Sequence, residues 1–208
     1  LEKKVIGHVE ASICLERIPK KNTHKTCKGR VADVVAQAFQ FAIRRPMIAI
    51  QNAGGVRTAL SDGVFTIGDA YRLLPFSNTL VTFKLTGTEL KQVLEEAVDY
   101  ALSDTGSTGA YPYAAGLRWT LARNATFGSR LSHIETFDHE AKRWVAIDAQ
   151  ATYDIVTNSY IARGKDGYRT FGNVYRNGGA EDTFIGYAQS MVDYVRKIKR
   201  ILPVEMTD

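Results

Sequence analysis

Two glycine-rich segments carry the side chains best suited to hold a ligand. The first, residues 52–57, reads Asn-Ala-Gly-Gly-Val-Arg and directly follows a short apolar stretch. Glycine lets a backbone approach a ligand closely, and free N–H groups beside an arginine fork suit a phosphate or a carboxylate. Asn52, Gly54 and Arg57 are therefore candidate ligand contacts. The alternative is a tight turn that needs positive φ angles and leaves Arg57 in solvent.

The second segment, residues 160–168, reads Tyr-Ile-Ala-Arg-Gly-Lys-Asp-Gly-Tyr after another predicted strand. A fixed carboxylate at Asp166 is able to accept hydrogen bonds from a pair of ribose hydroxyls, and Tyr160 offers a ring on which a base can stack. An ordinary surface turn is the alternative. Neither segment ends in Gly-Lys-Ser/Thr or has the Gly-x-Gly-x-x-Gly spacing, so neither is a Walker A loop or a dinucleotide fingerprint.

The elements around these segments predict an α+β fold, a single domain with a mixed β-sheet flanked by helices. Short or alternating apolar stretches predict strands, and apolar stripes at helical spacing predict helices. We expect strands at 5–14, 47–51, 79–85, 117–121, 131–137, 143–147 and 153–158, helices at 31–43, 66–73, 86–101 and 183–202, and loops at 103–116 and 160–171.

Local signals mark two helix starts and one polar helix face. Thr86 is followed three residues later by Glu89, which predicts a capping box. Asp69 follows Gly68 at the start of a predicted helix and is interpreted as a structural cap. Glu95 and Glu96 are expected on the solvent-facing surface of the helix that begins near residue 86.

Composition and charge exclude some function classes. The chain has 208 residues, of which 45% are hydrophobic and 24% charged, so a mainly disordered chain is not expected. Its longest apolar runs are too short to span a bilayer. The net charge of +5 permits an anionic partner. Because the basic residues are mostly scattered, a nucleic-acid partner is not expected.

Cys14 and Cys27 are the chain's two cysteines. A disulfide between them would stabilise the fold by about 3 kcal/mol in the chain-entropy model. Two isolated cysteines make a poor zinc site. A disulfide is the favoured interpretation in an oxidising compartment, and two buried free thiols are the alternative.

Five short motifs occur in order along nearly the whole chain. They are Asn-Ala-Gly-Gly-Val-Arg at 52–57, Leu-Pro-Phe-Ser-Asn at 74–78, Leu-Thr-Gly-Thr-Glu-Leu at 85–90, Gly-Ala-Tyr-Pro at 109–112 and Gly-Lys-Asp-Gly-Tyr at 164–168. In this order and spacing the chain resembles the C-terminal, substrate-binding domain of the 5′-nucleotidases, a family that includes UDP-sugar hydrolases. Residues 1–208 are therefore expected to form such a domain, with the family's N-terminal metallophosphatase domain absent from this chain.

The resemblance implies how a nucleobase would be held. Phe76 matches one of two aromatic rings that sandwich the base, and Tyr160 matches the other, which is usually Phe. Tyrosine keeps the stacking face and adds a hydroxyl. Asn78 lies where an Asn or Gly faces the base edge, and Gly109 matches a backbone contact beside the base.

The resemblance also implies contacts to the ribose and the phosphate. Asp166 matches the carboxylate that binds the ribose hydroxyls, Arg57 an arginine on the ribose and phosphate side, and Asn52 a polar group near the phosphate. The family places one or two arginines before the first long helix. Here that alignment gives Lys25 and, less directly, Lys21, while Lys28 or Arg30 are alternatives. Lysine is a point charge rather than a planar fork, so the geometry would differ.

Hydrolysis in this family depends on a dinuclear metal centre, and this chain has none of the sequence motifs expected for that centre. Two divalent metals, such as Zn or Mn, are expected on the N-terminal domain, where they activate a water for attack on phosphorus. None of the four histidines lies in such a motif, so no metal site and no catalytic residue are expected here: His8, His24, His133 and His139. This chain alone is expected to bind nucleotide without hydrolysing it.

The resemblance implies the nucleotide-recognition domain of a secreted 5′-nucleotidase, which converts nucleoside 5′-monophosphates to nucleosides and phosphate. Its expected partners are a nucleotide and the metallophosphatase domain, and its expected location is periplasmic or extracellular. The alternatives are the same domain in a UDP-sugar, NAD or 2′,3′-cyclic-nucleotide phosphohydrolase, or a non-catalytic nucleotide-binding module.

Overall fold

A computed structural model describes residues 1–20, 26–45 and 48–204 and confirms the α+β fold with mixed sheets. The strands are β1 (Val5–Val9), β2 (Ile13–Cys14), β3 (Lys28–Arg30), β4 (Ile48–Asn52), β5 (Gly63–Thr66), β6 (Thr79–Thr86), β7 (Pro112–Ala115), β8 (Leu117–Leu121), β9 (Leu131–Asp138), β10 (Arg143–Ala146), β11 (Thr152–Asn158), β12 (Ala180–Gly186) and β13 (Arg200–Ile201). The α-helices are α1 (Val31–Ile43), α2 (Ile67–Leu73), α3 (Gly87–Leu102), α4 (Ser159–Ala162), α5 (Arg169–Arg176) and α6 (Tyr187–Ile198). Single 3₁₀ turns lie at Ala53–Gly55, Thr108–Ala110 and Lys165–Gly167.

The main sheet has five strands in the order β12-β6-β11-β4-β7. Its central pair, β4 and β11, is parallel, with Ile48 opposite Ile155 and Ile50 opposite Thr157, and the other pairs are antiparallel. All of β4 and the last four residues of β11 are buried. Because the carboxyl ends of parallel neighbours meet at one sheet edge, the segments that follow β4 and β11 emerge side by side.

Helices α1 and α3 cover this sheet. The apolar stripe of α1 buries Val31, Val35 and Phe39 as it packs against β4, β7 and α6. Helix α3 packs against β6 and α5. Thr86 caps α3 with the predicted capping box to Glu89. The bounds of α1 and α3 agree closely with the sequence prediction because both carry a regular 3.6-residue stripe.

Asp69 is the structural cap that the sequence predicted. Thr66 and Asp69 form a capping box at the start of α2, and Arg72 pairs with the Asp69 carboxylate. Burial opposes ionisation of Asp69, but the hydrogen bonds from Thr66 and the charge of Arg72 together hold its pKa below the ordinary value.

Smaller sheets accompany the main sheet. They have the orders β13-β1-β5, β10-β9-β8 and β2-β3. Strands β8, β9 and β10 form the predicted meander. Cys14 and Cys27 form the predicted disulfide beside the β2–β3 pair, with a Cα–Cα distance of 5.3 Å. No helix in the described ranges is long and apolar enough to cross a membrane.

Predictions for residues 5–14 and 103–116 are wrong. The stretch 5–14 is two strands, β1 and β2, separated by residues 10–12. The expected loop 103–116 contains the 3₁₀ turn Thr108–Ala110 and strand β7, which pairs with β4 at the sheet edge. Pro112 opens β7, and a proline in a Gly/Ser-rich stretch argues against a strand unless that strand lies at an edge.

Two predictions about the last quarter are also wrong. The expected loop 160–171 contains most of α4 and the start of α5. The expected helix 183–202 is divided into the end of β12, α6 and β13. Phe184, which the expected helix included, is 85% exposed, because it lies in an irregular part of β12 at a φ of 57°. The apolar spacing of this edge strand imitates a helical stripe.

Candidate functional site

A chain of buried amides joins the ends of β4 and β11. Asn158 Nδ2 donates to Gln51 Oε1 and to Asn52 Oδ1, each at 3.0 Å. Asn158 Oδ1 accepts from the backbone N–H groups of Tyr160 and Ile161, which caps α4. Because unpaired buried amides are costly, this network fixes the segments 53–57 and 159–168 relative to each other.

Asp166 lies at the centre of the edge formed by these two segments. Asn52 Nδ2 donates to its Oδ2 at 3.1 Å, and the Tyr160 hydroxyl donates to its Oδ1 at 3.2 Å. Asp166 has a φ of 56° between two glycines, Gly164 and Gly167, whose φ angles are 93° and 79°. A left-handed backbone is uncommon for a residue with a Cβ, although Asp tolerates it better than most. Contacts from both segments thus hold in place a carboxylate whose backbone has a left-handed conformation.

Helix α3 supports the backbone around Asp166. Glu96 accepts from the backbone N–H of Thr170 at 2.9 Å and from its hydroxyl at 2.8 Å, at the start of α5. A Cβ added to Gly167 would lie 2.6 Å from Cβ of Tyr100, so this close approach requires glycine. The Asp166 turn is therefore packed directly on α3.

The expected surface position of Glu95 and Glu96 is wrong. Their exposed fractions are 1% and 5%. Glu95 accepts backbone N–H bonds from Gly128 and Leu131, and Glu96 accepts from Thr170. Two acids on the polar face of α3 thus bind the backbones of other elements, which a helical pattern alone does not reveal.

Phe76 and Tyr160 are partly exposed rings, Phe76 in the loop between α2 and β6 and Tyr160 in α4. Their exposed fractions are 48% and 42%. Ser159 Oγ donates to Asn78 Oδ1 at 3.3 Å and accepts from the Thr79 N–H at 3.1 Å, which joins α4 to the loop that carries Phe76. Burial, and then the Asp166 carboxylate, raise the pKa of the Tyr160 phenol, so it stays protonated at neutral pH. Both rings keep surface available for a flat ligand.

Arg57 lies at the other end of this edge. It is exposed, its Nη1 donates to the Gly54 carbonyl at 3.3 Å, and its Cζ lies 5.7 Å from the centre of the Phe76 ring. A Cβ added to Gly54 would lie 3.0 Å from Cα of Gly109, so the turns that contain these glycines touch through their backbones. The sequence-predicted residues Asn52, Gly54 and Arg57 are thus brought together with Phe76 and Gly109.

The sequence missed Arg17. Its Nη1 would lie 2.8 Å from a Cβ added to Gly109, and the Tyr113 hydroxyl donates to the Glu16 and Arg17 carbonyls at 3.1 and 3.4 Å. The only sequence signal for Arg17 is that it is a cation ahead of α1. Four lysines between residues 20 and 28 have the same property, so the sequence does not single Arg17 out.

The other cations proposed for the phosphate have different surroundings. Lys25, like Lys21, lies outside the described residues, so its assignment stays a prediction. Arg30 Nε pairs with Asp33 Oδ2 at 2.9 Å, and Arg30 Cζ lies 5.1 Å from the centre of the Tyr113 ring. Its guanidinium therefore contacts residues at the start of α1 and on β7. Lys28 is an exposed residue of β3.

A cavity of about 890 Å³ lies away from Asp166, between α1, β7 and the meander. Its walls include Asp33, Tyr111, Trp119 and Trp144. Burial raises the pKa of Asp33 although Arg30 pairs with it. Arg30 and Asp33 pair with each other in its wall, and neither Asp166 nor the rings of Phe76 and Tyr160 line it.

Metal ligands are not clustered in the described ranges 1–20, 26–45 and 48–204. No group of three or more His, Cys, Asp or Glu side chains there is placed to hold a metal ion. The described residues therefore do not fit a dinuclear metal centre.

Comparison with known proteins connects this arrangement to one family. The family described as "5′-nucleotidase, C-terminal domain" matches residues 5–173. A probable 5′-nucleotidase of Treponema pallidum is 47% identical over 171 residues, covering 81% of this chain and 28% of that protein. The NAD 5′-nucleotidase of Haemophilus influenzae is 38% identical over 205 residues, covering 95% of this chain and 34% of that protein.

Solved structures agree with the sequence comparisons. The structure of the Haemophilus influenzae NAD nucleotidase superposes with a TM-score of 0.88 at 35% identity, covering 98% of this chain and 37% of that one. A 5′-nucleotidase precursor from Thermus thermophilus gives a TM-score of 0.81 at 28% identity over 98% of this chain and 40% of that one. This chain thus spans well under half of each of these relatives. It belongs to the 5′-nucleotidase C-terminal domain family.

Proposed function

We propose that this chain is the nucleotide-recognition domain of a 5′-nucleotidase that acts on nucleoside 5′-monophosphates. The observation that carries this proposal is the edge shared by β4 and β11, where Asn52 and Tyr160 both donate to Asp166. A polar acceptor fixed beside exposed aromatic rings suits a ligand that joins a sugar to a flat base.

The base would stack between Phe76 and Tyr160. Both rings are partly exposed, and the hydrogen bond between Ser159 and Asn78 holds α4 against the loop that carries Phe76. Stacking on an aromatic ring contributes about 1–3 kcal/mol per base. Asn78 lies two residues after Phe76, where its amide is able to reach the base edge.

The ribose would bind to Asp166. An ionised carboxylate has about four acceptor positions, and Asn52 and Tyr160 use one on each oxygen. One position on each oxygen is left for the neighbouring 2′- and 3′-hydroxyls. Hydrogen bonds to an ionised acceptor are stronger than neutral ones, so this contact orients the nucleoside.

The 5′-phosphate would extend toward Arg57. The Arg57 guanidinium is exposed beside Gly54, and Arg17 lies against Gly109, which touches Gly54. Arginine forks bind phosphate with two parallel hydrogen bonds. In this arrangement Arg17 adds a second guanidinium to the phosphate side, and Lys25 remains a further candidate.

The role of this domain would be to bind and orient the substrate. Two divalent metals on an N-terminal metallophosphatase domain would supply water activation and charge neutralisation. The described residues of this chain offer no such metal site, so no hydrolytic step is assigned to them. The disulfide between Cys14 and Cys27 favours an oxidising location, periplasmic or extracellular.

A dinucleotide such as NAD is a second candidate substrate. The chain is 38% identical to a protein named NAD 5′-nucleotidase over 95% of its length. The adenosine half of NAD would make the same contacts with Phe76, Tyr160 and Asp166. A hydrolysis assay of the full-length enzyme on AMP and NAD would separate the two candidates.

Calorimetric titration of this chain with AMP, adenosine and inorganic phosphate tests the proposal. We expect saturable binding of AMP and adenosine, with AMP the tighter because only AMP reaches Arg57. Arg57→Ala should weaken AMP about tenfold and leave adenosine within about twofold, as loss of a charged hydrogen bond predicts. Arg143→Ala, on the exposed face of β10, is the matched control. If neither ligand binds the native chain, the proposal is wrong.

A further inference from the structure

The Tyr160 hydroxyl has a partner that stacking does not require. A base needs only the face of the ring, yet the hydroxyl donates to Asp166 Oδ1 at 3.2 Å. This hydrogen bond connects Tyr160, the proposed stacking residue, to Asp166, the proposed ribose-binding residue six positions later in the chain. A phenylalanine at this position would keep the ring and lose the link.

The geometry around Asp166 indicates that the hydrogen bond from Tyr160 fixes the orientation of the carboxylate. Asp166 has a left-handed backbone, and its carboxylate is held from Oδ2 by Asn52. One hydrogen bond leaves the carboxylate free to rotate about its χ2 angle, which is a soft torsion. A second hydrogen bond, to the other oxygen, fixes its plane. Only then are the two unused acceptor positions held in one orientation.

We propose that Tyr160 is a positioning residue that makes this domain selective for ribose over 2′,3′-dideoxyribose, by fixing the Asp166 carboxylate to accept both sugar hydroxyls. This inference rests on the proposed function. Tyr160 acts through Asp166, and its ring continues to stack on the base. Sugar selectivity therefore arises partly from the residue that holds the base.

The arrangement also predicts whether removal of the Tyr160 hydroxyl strengthens or weakens ribose binding. Tyr160 and Asn52 occupy one acceptor position on each oxygen, so the ribose diol does not need to displace the phenol. Removal of the hydroxyl should therefore weaken ribose binding. If the hydroxyl instead competed with the ribose, its removal would strengthen binding.

The test compares adenosine with 2′,3′-dideoxyadenosine in the native chain and in Tyr160→Phe by calorimetry. Adenosine should bind about three- to tenfold more weakly to the variant, the range that loss of one hydrogen bond predicts. Dideoxyadenosine should change by less than about twofold, because it has no hydroxyls for Asp166 to accept. A merely structural effect on the loop would weaken both nucleosides alike.

Tyr194→Phe is the matched control. Tyr194 on α6 donates its hydroxyl to Gln37 Oε1, also at 3.2 Å, away from Asp166. Its variant should leave the adenosine-to-dideoxyadenosine ratio unchanged. An unchanged ratio in Tyr160→Phe, or tighter adenosine binding, overturns the inference while the proposed function stands. Absence of adenosine binding by the native chain would overturn both.

Discussion

The segments that follow β4 and β11 leave the same sheet edge but are held by different forces. The turn after β4 is fixed mainly by a close backbone contact, since a Cβ added to Gly54 would lie only 3.0 Å from Cα of Gly109. The segment after β11 is fixed by side chains, since Asn52 and Tyr160 hold Asp166 and Glu96 holds Thr170. Both segments contain a glycine at a close approach, Gly54 against Gly109 and Gly167 against Tyr100, but the segment after β11 also carries the polar groups that hold Asp166.

This difference separates the effects expected from substitution. In the segment after β11, a substitution that keeps the packing should change ligand recognition more than stability. In the turn after β4, even one added methyl group should disturb the fold. Comparing the two kinds of substitution tests whether the turn after β4 mainly affects stability and the segment after β11 mainly affects ligand affinity.

Asp166→Ala should have the largest effect on recognition. It removes the acceptor for both ribose hydroxyls, and two hydrogen bonds to a charged group make an expected loss of about a hundredfold in adenosine affinity. The melting temperature should fall modestly, because alanine tolerates the left-handed backbone at position 166 less well than Asp does. Calorimetry and a thermal melt measure the two quantities. Asp193→Ala, on the exposed side of α6, is the control, and retained affinity in Asp166→Ala would contradict the ribose assignment.

Gly54→Ala should have a smaller effect, expressed mainly as stability. Its Cβ would lie 3.0 Å from Cα of Gly109 and 3.3 Å from its carbonyl oxygen, so backbone atoms must shift. Overpacking of this kind costs about 1–3 kcal/mol in the free energy of unfolding, measured by denaturant titration. Gly186→Ala is the control, since its Cβ would make only an ordinary 3.7 Å contact. Equal stability of the two variants would show that the turn is not fixed by its backbone.

The smallest effect concerns the Tyr160 phenol. Burial and the nearby Asp166 carboxylate raise its pKa above the ordinary value, so the folded chain retains this proton above about pH 10, where an unfolded chain loses it. The contribution of this group to stability is therefore present below pH 10 and falls as the pH rises through the folded pKa. Asp166→Asn should lower the pKa of Tyr160 yet leave it raised by burial. NMR of ¹³Cζ-labelled tyrosine, assigned with Tyr160→Phe, measures it, and an identical pKa in Asp166→Asn would refute the contact.

The sequence predicted those parts of the fold whose pattern is local. The stripe of α1, the structural cap at Asp69, the capping box at Thr86 and the disulfide were predicted because each depends on residues close in the chain or on one pair of cysteines. Strands β7 and β12 were missed because both are edge strands, one opened by proline and one irregular at Phe184. Their structure is decided by distant partners.

The candidate site shows the same division. The motif residues were found because the two post-strand segments stand out and resemble one family. The burial of Glu96 and the position of Arg17 were not found, because each depends on an element far away in the sequence. A polar helix face looks the same in sequence whether water or another backbone meets it.

Amide NMR of this chain during a titration with AMP tests most directly whether the ends of β4 and β11 form one nucleotide site. The account predicts that signals from residues 53–57 and 159–168, and from the loop that carries Phe76, shift together with one saturation curve. Shifts confined to one of these segments, or centred on the cavity near Tyr111 and Trp144, would contradict it.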